Sequence, residues 1–170
     1  MDSFDLRILD ALQRDGHATN DALAEHAGLS PSQCSRRRAV LEEEGIIEGY
    51  HAKLSAEKLG LKVIVFVQVT LATHSPDNSK RFAKLISDLD EVQEAYALTG
   101  ATDYLLKLAV EDLPALSRIL NDVFLPHDSV AHVRSSIVLE RLKHTTQLPL
   151  GHLSRQGRNV DTKKSRTRVA

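Results

Sequence analysis

The chain has 170 residues, 42% of them hydrophobic and 26% charged, and a formal net charge of -1, which is room for one ordinary domain or two small ones and the composition of a globular protein. No apolar run approaches the roughly 18 residues of a membrane span, and the acidic start Met1-Asp2-Ser3-Phe4-Asp5 is unlike a secretory signal. The lone Cys34 excludes an internal disulfide and any multi-cysteine zinc site, so a reducing cytoplasm is the expected compartment.

The near-neutral average hides an uneven distribution. Residues 1–50 hold five Lys/Arg against ten Asp/Glu, and three of those five are consecutive: Arg36, Arg37 and Arg38. Residues 51–150 hold eleven against twelve, and residues 151–170 hold six against one. An acidic first segment with one concentrated basic spot points to a local anion contact rather than a wholly basic domain.

In chain order, the first fifty residues predict three short helices. Ile8, Leu9 and Leu12 give the first an apolar stripe at helical spacing. Thr19 is placed to cap the second, whose buried side is Leu23, Ala24 and Ala27, and Gly28 supplies a left-handed stop. Ser30 then caps a third helix with Pro31 at its first position, and Ser30 with Gln33 fits a capping box. That helix runs to about Glu44, with Cys34 and Leu41 inward. The connection Gly28-Leu29-Ser30 is so short that it forces the sharp corner of a helix-turn-helix. Ile46 to His51 is β-prone and reads as a short strand or wing. Residues 51–61 read as a linker.

From Leu61 the pattern changes. Val63 to Leu71 is a β-branched run. A helical stripe of Phe82, Leu85, Ile86 and Leu89 follows a loop and cap at His74 to Asn78. Val92 to Leu98 and Tyr104 to Val110 read as strands around the turn Thr99-Gly100-Ala101-Thr102. Asp112 caps a helix with Leu116, Ile119, Leu120 and Val123 inward, and Pro114 is tolerated in its first turn. Val130 to Leu142 is the last strand. The order strand, helix, strand, strand, helix, strand is the ferredoxin-like βαββαβ arrangement over residues 62–150, an α+β fold with one sheet face under two helices. The other face still carries Ile64 and Phe66, and an uncovered sheet face predicts a two-fold homodimer. Residues 151–170 read as a basic polar tail.

The third helix carries the sharpest functional signal. A recognition helix inserts its N-terminal part into the major groove, where Arg bonds guanine and Gln bonds adenine. Ser32, Gln33, Arg36, Arg37 and Arg38 are therefore the candidate DNA-binding residues, with positions 33, 36, 37 and 40 sharing a face. The plain alternative is a solvated charged face paired with Glu42, Glu43 and Glu44, and the capping box competes for Gln33. Arg38 lies between the inward Cys34 and Leu41, and could snorkel either to a phosphate or to a neighbouring carboxylate.

Several stretches in order resemble the Lrp/AsnC, or feast/famine, family of transcriptional regulators over residues 2–150. They are Asp5-Leu6-Arg7-Ile8-Leu9, Leu23-Ala24, Gly28-Leu29-Ser30, Cys34, Leu41-Glu42-Glu43-Glu44-Gly45-Ile46-Ile47, Gly49-Tyr50, Thr99-Gly100-Ala101-Thr102-Asp103-Tyr104 and Arg134-Ser135-Ser136-Ile137-Val138-Leu139. The resemblance implies an N-terminal winged helix-turn-helix over residues 1–50. It also implies a C-terminal αβ-sandwich (RAM) domain that dimerises and assembles further, often to octamers, with a small amino-acid-like effector bound between dimers. The family usually has an aliphatic residue where Arg38 stands.

The turn at Gly100 is explained by backbone geometry alone, but Asp103 heads an otherwise apolar strand. An amino acid needs N–H groups for its carboxylate and an anion for its ammonium, and a glycine turn beside an Asp could supply both. By resemblance this motif lines the effector pocket, which implies Gly100, Ala101, Asp103 and Tyr104, completed by Val133, Ser135 and Ser136. No metal, cofactor or catalytic constellation is expected: His127 and His132 lack partners for a metal site, and no nucleotide-binding or nucleophile-elbow motif occurs. The expected partners are double-stranded DNA, a small effector and further copies of the chain, with no membrane. The rival functions are an enzyme with an amino-acid-binding regulatory domain, and a nucleoid-associated architectural protein with broad sequence preference.

Overall fold

A computed structural model describes residues 1–153. It divides into two units: Met1–Lys53, joined by the described residues from Lys143 onward, and Leu54–Leu142. The expected tail from residue 154 lies outside the described residues.

The first unit contains α1 (Ser3–Arg14), α2 (Asn20–Ala27) and α3 (Pro31–Glu43). Each begins where a side chain can satisfy its free N–H groups. Asp2 and Asp5 form a capping box on α1, Thr19 caps α2, and Ser30 with Gln33 forms the capping box of α3. Gly28 ends α2 at φ 72°, a left-handed conformation that disfavours side chains. The core gathers Ile8, Leu9, Leu12, Leu23, Ala24, Ala27, Cys34 and Leu41, as the helical stripes predict. Ile46 to His51, expected as a short strand or wing, carry no strand. The N–H groups of Ile46 and Ile47 both turn back to the carbonyl of Leu41, so this backbone closes the end of α3 instead of pairing in a ladder.

The second unit is built from β1 (Val63–Leu71), α4 (Pro76–Ser87), β2 (Val92–Ala97), β3 (Tyr104–Val110), α5 (Leu113–Arg118), a π-helical turn (Ile119–Phe124) and β4 (Val130–Ile137). The sheet is antiparallel in the order β2-β3-β1-β4, the ferredoxin-like topology. Val65, Val67, Val69 and Leu71 of β1 point into one core with Leu106, Leu108, Phe82, Leu116, Ile119 and Phe124. Phe82 of α4 packs its ring on Tyr104 with centroids 4.8 Å apart. The opposite face carries Ile64, Phe66, Gln68 and Thr70, and Phe66 is 37% exposed there.

The last strand stops at Ile137, short of the expected Leu142. Beyond it Leu139 and Leu142 are exposed, and the chain leaves this unit. Residues 143–150, expected in the second domain, group with the helices of the first. The amide of Gln13 holds Leu148 by both main-chain groups, and Leu150 packs against the helical core.

Candidate functional site

The start of α3 presents Ser32, Gln33 and Arg36 to solvent on adjacent turns. Gln33 Oε1 accepts the N–H of Ser30 at 3.0 Å, which fixes the side chain by its oxygen. Ser32 Oγ lies 3.1 Å from Ser30 Oγ. Among the described residues Arg36 has no ion-pair or hydrogen-bond partner within the chain.

The next two arginines behave differently. Arg37 Nη1 reaches Asp5 at 2.6 Å and Asp2 at 2.9 Å, and its guanidinium lies over the Phe4 ring at 5.4 Å. Asp5 is buried, so this clamp joins α3 to the start of α1. The hydrogen bond with Asp5 holds the guanidinium still further above its ordinary pKa. Desolvation pushes the Asp2 carboxyl up, but the N–H groups of Asp5 and Phe4 and the guanidinium of Arg37 together hold it below its ordinary value. Arg7 adds a second tie. It donates to the carbonyl of Ala27 at 2.8 Å, at the negative end of the α2 dipole, and also covers Phe4. Arg37, a candidate for the DNA-reading face, reaches α1, where two carboxylates and an aromatic ring meet it.

Arg38 reaches a carboxylate of its own helix. Its Nε donates to Glu42 at 2.9 Å and its guanidinium stacks on Tyr50 at 4.5 Å, while the Tyr50 hydroxyl donates to the same Glu42 oxygen at 2.8 Å. The hydrogen bonds from Arg38 and then Tyr50 hold Glu42 below the ordinary carboxylate range. Burial raises the Cys34 thiol, with Arg37 opposing, so it is a neutral core filler.

In the second unit the loop 98–103 is closed by the N–H of Leu98 donating to the carbonyl of Asp103 at 2.8 Å. Gly100 adopts φ 122°, open only to glycine, with space around it, and Ala101 is exposed. Asp103 pins the end of β1. Its N–H donates to Val69, and its Oδ2 accepts the N–H of Leu71 at 2.7 Å, where the β1–β4 register shifts. Its Oδ1 lies 3.4 Å from His74 Nδ1.

Tyr104 and Val133 flank Val69 on the helix-covered face, and Ser135 faces Val67 there; Ser136 pairs with Phe66 on the open face. The seven expected effector residues thus divide between the hairpin, the covered face and the open face. Sequence reasoning missed a cavity of about 250 Å³ between α5, the π-helical turn and β4. Leu116, Leu120 and Leu125 line it with Val133 and Ser135. The π-helical turn contributes Leu120 and Asn121 to that lining, and no periodic pattern announces such a turn.

Two family profiles match the chain. Residues 1–48 match a winged helix-turn-helix DNA-binding domain, and residues 64–148 match the Lrp/AsnC ligand binding domain. The chain belongs to the Lrp/AsnC family. It is 36% identical over 148 residues to the leucine-responsive regulatory protein of Klebsiella pneumoniae, and equally so to that of Escherichia coli strain K12; each alignment covers 87% of this chain and 90% of the relative. Its fold superposes with a TM-score of 0.87 on a transcriptional regulator from Neisseria meningitidis solved as an L-Met complex, at 42% identity, covering 90% of this chain and 99% of that one. AsnC of Escherichia coli superposes at 0.80 with 30% identity, covering 88% and 99%. As a member of this family, the chain is a DNA-binding transcriptional regulator with a ligand-binding second domain. Among the described residues no helix is long and apolar enough to cross a membrane, and no cluster of three metal-ligating side chains occurs.

Proposed function

We propose that this regulator reads duplex DNA through Ser32, Gln33 and Arg36, while Arg37 and Arg38 position the helix that carries them. The observation behind this reading is the contrast within one arginine triplet: Arg36 has no partner among the described residues, whereas both neighbours are tied down by carboxylates. A free guanidinium in the second turn of a recognition helix can bond a guanine edge in the major groove. Two copies joined through the open sheet face of the second unit, around Phe66, present two such helices to paired half-sites. The protein acts in the cytoplasm by binding rather than by catalysis, consistent with relatives named as regulators.

The effector is an amino acid. The L-Met bound to the Neisseria relative supports this class. The exposed N–H groups around Gly100 and Ala101 suit its carboxylate, and Asp103 Oδ1, whose partner oxygen is already engaged by Leu71, suits its ammonium. Tyr104, Val133 and Ser135 flank that end of β1, and Ser136 serves the open face. A thermal-shift screen of the common amino acids, L-Met included, tests this reading: a ligand of the folded state raises the midpoint. Asp103→Asn, which keeps an acceptor for Leu71, is expected to abolish that rise while leaving DNA binding intact. A midpoint that no amino acid moves would overturn the effector assignment. DNase footprinting of the upstream region of its own gene, with equal protection by the Arg36→Ala chain, would overturn the reading face.

A further inference from the structure

The helical unit keeps one aromatic ring out of its core. Phe4, in the first turn of α1, is partly buried. Among the described residues it is neither in the core of Ile8, Leu9, Leu12, Leu23 and their neighbours nor one of the partly buried side chains packed on it. Two guanidiniums lie over the ring instead, Arg7 at 4.9 Å and Arg37 at 5.4 Å. Both are inside the roughly 6 Å within which the negative face of a ring attracts a cation.

Each guanidinium has a second hold, and the two holds concern different helices. Arg7 Nη1 donates to the carbonyl of Ala27, the last residue of α2, at 2.8 Å. It stands 3.6 Å from where a Cβ on Gly28 would sit, so it lies against the corner between α2 and α3. Arg37 belongs to α3 and reaches Asp2 and Asp5 at the start of α1. Phe4 is therefore where the tie from the end of α2 and the tie from α3 meet on α1. Carboxylates hold a guanidinium at a point, and a ring against it restricts the plane in which it can swing. Arg36 is the residue before Arg37 on the same helix, so what fixes Arg37 also fixes where the Arg36 backbone stands.

We propose that Phe4 is a positioning residue for DNA reading: its ring gathers Arg7 and Arg37, and so sets the angle of the α2–α3 corner at which Arg36 meets the bases. The inference rests on the reading face proposed above. It assigns the effect to the face of the ring rather than to its bulk, because the bulk is not used to fill the core. A hydrogen bond from a guanidinium to a guanine edge spans about 2.7–3.2 Å, so a small tilt of α3 breaks it. Attraction to phosphates falls off only slowly with distance and is far less sensitive to that angle. The ring should therefore matter for a specific site and hardly at all for DNA of random sequence.

The test measures the affinity of the full chain for a footprinted site and for a random duplex of equal length, well below the melting midpoint. Phe4→Leu keeps an apolar side chain but loses the aromatic face. It is expected to lower affinity for the site about five- to tenfold and to leave random-duplex affinity within about twofold. Phe4→Tyr and Phe4→Trp restore a ring and are expected to bind the site within about twofold of the unaltered chain. Arg7→Gln, at an exposed position, removes one of the two cations and is expected to lose about two- to threefold. It carries the test should Phe4→Leu fail to fold. In an Arg36→Ala background the Phe4→Leu loss is expected to shrink below about twofold, because the contact it aims is already gone. The proposal is overturned if Phe4→Leu binds the site like the unaltered chain, or if all three Phe4 substitutions lose affinity alike. It is overturned equally if site and random duplex fall together, or if the Phe4→Leu loss persists undiminished beside Arg36→Ala. Should Arg36→Ala alone bind the site with full affinity, the reading face fails, and the comparison of Leu with Tyr and Trp still decides the role of the ring.

Discussion

The two units hold their shapes by different means. The sheet unit rests on apolar volume: strand after strand places β-branched or leucine side chains against Phe82 and Phe124, both fully buried. The helical unit has a smaller core of aliphatic and alanine side chains. It sets the angle of α3 with charged clamps, Arg37 on Asp2 and Asp5, and Arg38 on Glu42 and Tyr50. A reader of DNA must hold a helix at a defined angle while keeping its outer surface polar, and ion pairs at the helix margins do this without apolar groups at the interface. The sheet unit has no such constraint on its covered face. One unit should therefore fail by loss of volume, the other by loss of charge.

Phe82→Ala is the strongest test of the volume side. It removes a fully buried ring and the Tyr104 contact, and is expected to cost about 3–5 kcal/mol. Denaturant unfolding should show the sheet transition move while the helical signal of the first unit persists; a uniform shift of both would erase the contrast. Arg37→Ala is the matching test of charge. It leaves the buried Asp5 without its cation and is expected to cost roughly 2 kcal/mol, seen as a lower melting midpoint of the helical unit. DNA affinity should fall with it, and recover on cooling, if the role is positional.

Acid should separate the units next. Asp2 and Glu42 are both held below their ordinary values in the folded chain. The stability each contributes is complete above about pH 4–5 and is lost as the pH falls through the lowered value. Below about pH 4 the helical unit should loosen before the sheet unit; circular dichroism at two wavelengths against pH would report the order. Arg38→Ala is the smallest effect. Its partners are exposed, so less than about 1 kcal/mol is expected.

The caps of α2 and α3, the stop at Gly28, the apolar stripes and the strand order were legible because they follow local rules of spacing and capping. Three features were not. Arg37 meets Asp5 across 32 residues, and no periodicity reports which of two faces a long side chain at a face's margin will choose. The β-prone Ile46–Ile47 pair is overruled by the carbonyl of Leu41, which takes both N–H groups. The return of residues 143–153 depends on an amide at Gln13 far away in sequence. For the effector region, Gly100 and Asp103 were recognisable as a pair, but the use of one Asp103 oxygen by Leu71 emerges only from the sheet register.

The most direct test of the central claim is the affinity of Arg36→Ala for a footprinted DNA site, measured beside its melting midpoint. The expected result is a loss of about 1–3 kcal/mol in binding, roughly five- to 150-fold, with the midpoint unchanged. Wild-type affinity for Arg36→Ala would place the reading surface elsewhere and contradict the division of labour within the arginine triplet.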